Sequence, residues 1–275
     1  MTVTIRPSRL LFAAALIGLG ITGVIAGDFA LVWQHIPIRH LPARSAIAEA
    51  CAAIALACGV GLLLRRTRRL ACRVLLPFLL LWVILLKTPA LPGHWLNVDA
   101  WAGVAEITTI LAGGWVLFAI YSGPWERHHL KFAVVGRGVE IARWVLIASL
   151  PALGMQVVLR GATYQLPPWL AWLPSSVDWV YLSGIGSLAA SLALLLGVWP
   201  RLAATLEAAM MGVITIWFWG PLLHTGRTAT TAFLISSLMV ASIWIVADTY
   251  RGVAWLAIGH PAWDGEPGLR AEEGA

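Results

Sequence analysis

Four ionisable residues stand inside or at the edge of long apolar runs, where a charge is costly and needs a partner or a use. Asp28 ends the first run, and Glu49 lies about one helical turn into the second. Lys87 lies about one turn from the end of the third run, and Glu106 just over one turn into the fourth. If successive runs cross a bilayer in alternation, all four charges sit at a similar depth near one face. Three carboxylates and an amine in one place could share protons or hold a small polar molecule, a quinone headgroup among them. The competing reading is structural: a Lys87–Glu106 ion pair, with Asp28 and Glu49 reaching interfacial water. The residues alone leave both readings open.

Other chemistry-bearing residues make weaker patterns. Glu207 is a further acid in an apolar run, with no basic residue near it on its own segment. His94 and His224 follow the prolines Pro89 and Pro221. As a pair they would suit haem or a metal, but axial haem ligands project from helices and these two read as loop residues. His35, His40, His128 and His129 read as loop histidines too. Cys51 and Cys58 are two turns apart on one helix, about 10 Å, too far for a disulfide. With Cys72 they read as small apolar packing residues. No metal site is expected, and no cofactor is evident. The chain has no Gly-rich phosphate loop, nucleophile elbow, zinc signature or paired-carboxylate hydrolase pattern. These absences weigh against a hydrolase or an ATP-driven pump.

The elements that must position such residues follow from composition. Of 275 residues, 60% are hydrophobic and 12% charged, about half the charged fraction of a soluble domain, roughly 25%. A soluble fold cannot hide that much apolar surface, whereas a bilayer accepts it on the outside. Runs near 10–27, 46–64, 71–90, 101–121, 141–160, 179–199, 203–221 and 229–247 each approach the roughly 20 residues a crossing helix needs. The third holds Pro77, which can kink a membrane helix without ending it. The first run is long for a cleaved signal and reads as a retained helix.

With the N-terminus inside, 14 of the 19 Lys and Arg residues fall on the inner side and 5 on the outer. The bias places both termini in the cytoplasm of a cell's inner membrane. The net charge of +6 is therefore a topology signal, and no nucleic-acid partner is implied. The implied partner is the lipid bilayer. Tryptophans such as Trp33, Trp101, Trp172 and Trp179 outside, and Trp125, Trp144 and Trp255 inside, suit the headgroup layers.

The chain also repeats itself. Leu41-Pro42 matches Leu173-Pro174 at an offset of 132, and the same offset aligns Arg69-Leu70-Ala71 with Arg201-Leu202-Ala203 and Pro89 with Pro221. A two-residue gap then aligns Arg9 with Arg143 and Gly27 with Gly161. Four spans is an even number, so the copies run parallel. The fold class expected is all-α: eight transmembrane helices as two parallel-repeat four-helix bundles. The units are 1–121 and 141–252, joined by a cytoplasmic linker at 122–140. Residues 253–275 read as a disordered cytoplasmic tail. The second copy lacks the charge set, since Glu49 aligns with Tyr181, Lys87 with Trp219, and Asp28 falls opposite Ala162. Gly18 with Gly23, and Gly184 with Ser187, suit close helix packing.

Each half resembles a DoxX-like membrane unit. In the first, the resemblance rests on Arg9, Gly27-Asp28-Phe29, Trp33 with Pro37, Arg68-Arg69, Lys87-Thr88-Pro89, and Trp101 with Glu106. In the second it rests on Trp179-Val180-Tyr181-Leu182-Ser183-Gly184, Arg201-Leu202-Ala203-Ala204 and Ala247-Asp248-Thr249-Tyr250-Arg251-Gly252. It covers nearly all of residues 5–252. It implies a four-helix membrane bundle. Some members carry out quinone-linked redox work, so quinone is the cofactor and a membrane or soluble redox protein the partner it would imply. Most members have no assigned reaction. The tandem arrangement departs from the single-unit pattern, and no catalytic residue carries over. The expected role is a non-enzymatic membrane component or stress-associated subunit. The alternatives are a quinone-linked redox subunit and a small-solute or proton pathway.

Overall fold

A computed structural model describes residues 6–29, 43–163, 168–170 and 176–261. Among them the regular structure is helical, with one isolated antiparallel bridge between Val198 and Ile258. The helices are α1 (Pro7–Ala26), α2 (Arg44–Leu63), α3 (Arg68–Trp82), α4 (Val98–Tyr121), α5 (Pro124–His129), α6 (Val135–Arg160), α7 (Ser176–Leu196), α8 (Pro200–Ile214) and α9 (Arg227–Asp248). Seven segments are long and apolar enough to cross a membrane: α1, α2, α4, α6, α7, α8 with its continuation to Thr225, and α9. The chain is thus multi-pass.

The local reasons are ordinary. Pro7 and Pro200 open α1 and α8, where a missing N–H costs nothing. Gly27, at φ 58°, closes α1 in the left-handed conformation. Asn97 caps α4 by accepting the Asp99 amide at 2.9 Å. The third apolar run differs from its expected form. Its α-helix stops at Trp82 after 15 residues, about 22 Å of rise. It continues as a five-residue π turn, Val83–Lys87, and a 3₁₀ turn, Thr88–Ala90. Pro77 sits within α3 without ending it. α8 also has 15 residues and is followed by a π turn, Thr215–Trp219, and a 3₁₀ turn, Gly220–Thr225.

Two further expectations change. The loop expected over 122–140 holds α5, and α6 begins at Val135. Its first turns carry Arg137 and Glu140, so polarity masks a helix that starts before its apolar face. The tail expected to be disordered from residue 253 is docked as far as Pro261. The Trp199 amide donates to the Ala257 carbonyl at 2.9 Å, and the Gly259 amide to the Gly197 carbonyl at 2.8 Å. Arg201 stacks 4.0 Å over the Trp255 ring. The remainder of the tail lies outside the described residues.

Chain neighbours pack in order, α1 on α2, α2 on α3, α3 on α4, and α6 on α7, α7 on α8, α8 on α9. The two series then interlock: α4 packs on α6, α1 on α9, and α4 on α9. In α4 and α9, 72% of the apolar window is buried, against 28–39% in the other five, so these two form the centre. They touch at Gly113, where an added Cβ would lie 2.6 Å from Ser242 Cα. Only a missing side chain allows that approach. The small residues read from the sequence serve the same end. A Cβ on Gly23 would meet Ala52 Cβ at 2.6 Å, and one on Gly184 would meet the Gly154 carbonyl at 2.9 Å.

Two arginines meet tyrosines near helix ends, Arg9 with Tyr121 at the end of α4 and the buried Arg143 with Tyr250 just after α9. Arg9 donates to the Tyr121 hydroxyl. Arg143 lies 4.0 Å from the Tyr250 ring centre and donates to Thr249 Oγ1 and to the Thr249 and Pro261 carbonyls.

Candidate functional site

The ionisable residues of the first four apolar runs form two groups. At the first, the tight turn at Gly27 aims the Asp28 carboxylate back toward α2. Its Oδ1 accepts the Phe29 amide at 2.8 Å and Arg44 Nε and Nη2 at 3.0 and 2.9 Å, and Oδ2 accepts Nη2 at 3.1 Å. This two-pronged fork is the geometry guanidinium offers a carboxylate. Arg227, at the start of α9, donates to the Asp28 and Phe29 carbonyls at 2.7 and 2.8 Å. The ends of α1, α2 and α9 are thereby tied together. Burial raises the Asp28 pKa, but the Phe29 amide, the Arg44 hydrogen bonds and the two guanidinium charges outweigh it and hold the carboxyl below its ordinary value. Glu49 is exposed. Its Oε1 lies 3.7 Å from where a Gly27 Cβ would stand, so it borders this group without entering the fork.

The second group is Lys87 with Glu106. The π turn carries Lys87 inward, leaving it 3% exposed. Its Nζ lies 3.2 Å from the place a Gly103 Cβ would take, so glycine on α4 makes room for the ammonium. Glu106, one turn further along α4, attracts it through space. A cavity opens beside Asp28 between α1, α2, α3, α4 and α9, with Asp28 and Arg227 at one end and Thr22, Trp82 and Leu238 in its walls. Lys87, Glu49 and Glu106 do not line it. Its volume is about 40 Å³, room for about one water and not for a quinone ring.

Arg44 and Arg227 are the residues sequence reasoning missed. Both open helices, and both count there only as outer-face charges. Glu207 gains a partner as well. It is 2% exposed, its Oε1 accepts the Ser187 hydroxyl at 2.8 Å, and its Oε2 has no hydrogen-bond partner among the described residues. Ser183, Ser187 and Ser191 recur every four residues along α7, a spacing that marks one polar helix face. His94 and His224 are exposed. Among the described residues no three His, Cys, Asp or Glu side chains gather as a metal site would require. Cys51, Cys58 and Cys72 are free thiols in helices, as the spacing implied.

A larger cavity lies at the opposite end, where α3, α4 and the α5–α6 connection meet. It measures about 650 Å³ and is walled by Leu76, Pro77, Leu80, Trp115, Phe118 and Phe132. Arg73 and Glu126 close one side as an ion pair. Glu126 also accepts the Gly123 amide at 2.9 Å. Burial raises the Glu126 pKa, but Arg73 and the backbone donors outweigh it and hold the carboxyl below its ordinary value. Trp115 Nε1 donates to the Ala133 carbonyl at 3.1 Å. Comparison of the chain with protein-family models, with curated proteins and with solved structures found no match in any of the three.

Proposed function

We propose that the chain is a DoxX-like inner-membrane component of eight spans, acting as a non-enzymatic scaffold or stress-associated subunit. Its units, 1–121 and 141–252, run parallel, with the linker at 122–140 and both termini in the cytoplasm. The eighth span is α3 with its π and 3₁₀ continuation to Ala90. The repeat reading draws support from matched elements. α3 and α8, and the π turns that follow them, have equal lengths at the offset of 132 seen in the sequence.

One observation carries the functional reading. Asp28 and the cations beside it are engaged with one another: Arg44 and Arg227 tie Asp28 to α2 and α9. The space beside Asp28 admits little more than a water. A set so committed holds helices together rather than turning over a substrate. On this reading Lys87→Met and Glu106→Gln each lower the amount of folded protein in the membrane. Fluorescence-detected size exclusion of tagged variants measures this. Normal yield in both, with loss of a cellular phenotype or of a bound small molecule, would instead make the charges a ligand site.

A further inference from the structure

We infer that the 650 Å³ groove between α3, α4 and the α5–α6 connection binds one anionic phospholipid, with a chain in the groove and the phosphate at its mouth. The volume falls in the range of small-molecule sites, about 300–1,000 Å³. One face of α3 runs from charge to hydrocarbon in the order Arg69, Arg73, Pro77, Leu80, at helical spacing. The last three line the groove, and Arg69 stands exposed one turn before Arg73. On the facing wall, Leu130 and Phe132 enter the groove while Lys131 between them is exposed. The mouth therefore carries Arg69, Arg73 and Lys131 against a single acid, Glu126, which Arg73 and the Gly123 amide already satisfy.

The interior offers a ligand little hydrogen bonding. The Trp115 indole is engaged by Ala133, and the Arg73–Glu126 pair is closed on itself. A neutral quinone ring would find few free donors inside. A lipid needs none there and places its charge where the cations stand. Anionic headgroups gain roughly fivefold in affinity per surface cation. The inference rests on the proposed reading of α3 as a span and on the groove, so it stands whichever leaflet the mouth faces and whatever the Asp28 and Lys87 groups do.

Full-length protein, delipidated in an uncharged detergent, is titrated with phosphatidylglycerol or with phosphatidylcholine of the same chains. Native mass spectrometry counts the adducts. One phosphatidylglycerol is expected to bind at least about tenfold more tightly than phosphatidylcholine. Arg69→Gln with Lys131→Gln, both on exposed positions that leave the core untouched, is expected to remove most of that preference. Leu80→Trp, which fills the groove, is expected to weaken both lipids. Trp144→Ala, an exposed inner tryptophan outside the groove, is expected to change neither. Equal binding of the two lipids by the native protein overturns the inference. So does a preference indifferent to both groove variants, or a retained quinone whose binding ignores Arg69 and Lys131.

Discussion

At the scale of single residues, Asp28 ties the end of α1 to α2 and α9. The Asp28–Arg44 fork is partly exposed, with side chains 33% and 26% accessible, so its contribution is modest, about 0.5–1 kcal/mol. Because the folded carboxyl titrates below its ordinary value, this stability is complete at neutral pH. It is lost as pH falls through the folded value. Asp28→Asn is expected to lower the melting temperature in detergent by about 1–3 °C at pH 7. The gap should close in acid, once the pH has fallen below the folded value and the native carboxyl is protonated too. A gap that persists in acid would mean that the fork is not what the substitution removes. The four charges were legible in the sequence because charge in an apolar run stands out. Their partners were not. Arg227 reaches Asp28 across 199 residues, and nothing in local spacing marks that meeting. Ser187 was hidden in the same way, since a serine in a membrane helix more often bonds its own backbone.

At the scale of elements, the spans were readable and their interruptions were not. Apolar runs and loop prolines located α1, α2, α4 and α7 to α9 within a few residues. The π turns leave no signature in composition, because each keeps the apolar run unbroken while changing the hydrogen-bond ring. The contact of α4 with α9 was equally silent: Gly113 lies in a run of small and apolar residues, and its opposite, Ser242, is not a glycine. That contact gives a sharp contrast. Gly113→Leu has no space against the Ser242 backbone and is expected to cost about 1–3 kcal/mol or more. Gly212→Ala places its Cβ 3.6 Å from Val240, an ordinary contact, and is expected to be neutral or to stabilise α8 by up to about 1 kcal/mol. Thermal melts of the two variants in one detergent decide the point. Equal effects would show that α4 and α9 are loosely packed at Gly113.

At the scale of the whole molecule, the halves share their surfaces. α1 finds its long-range neighbour in α9, and α4 in α6 and α9, so each half completes the other. Cutting the chain in the connection between His129 and Val135 and coexpressing the pieces should therefore give fragments that copurify through the membrane helices. Each piece expressed alone should be degraded. Two separately stable halves with no mutual affinity would contradict the interlocked packing. The matched π turns bear on history as well. A π ring closes over one residue more than an α ring, so each turn amounts to one inserted residue, and the two insertions stand 132 positions apart, each directly after a 15-residue α-helix. On the tandem reading the extra residue was already present in the ancestral single unit, and duplication copied it. Only afterwards did the residue closing the turn diverge, to lysine in one descendant and tryptophan in the other. On that reading the insertion is older than the pairing, and the buried charge at its end is a later choice or a later loss.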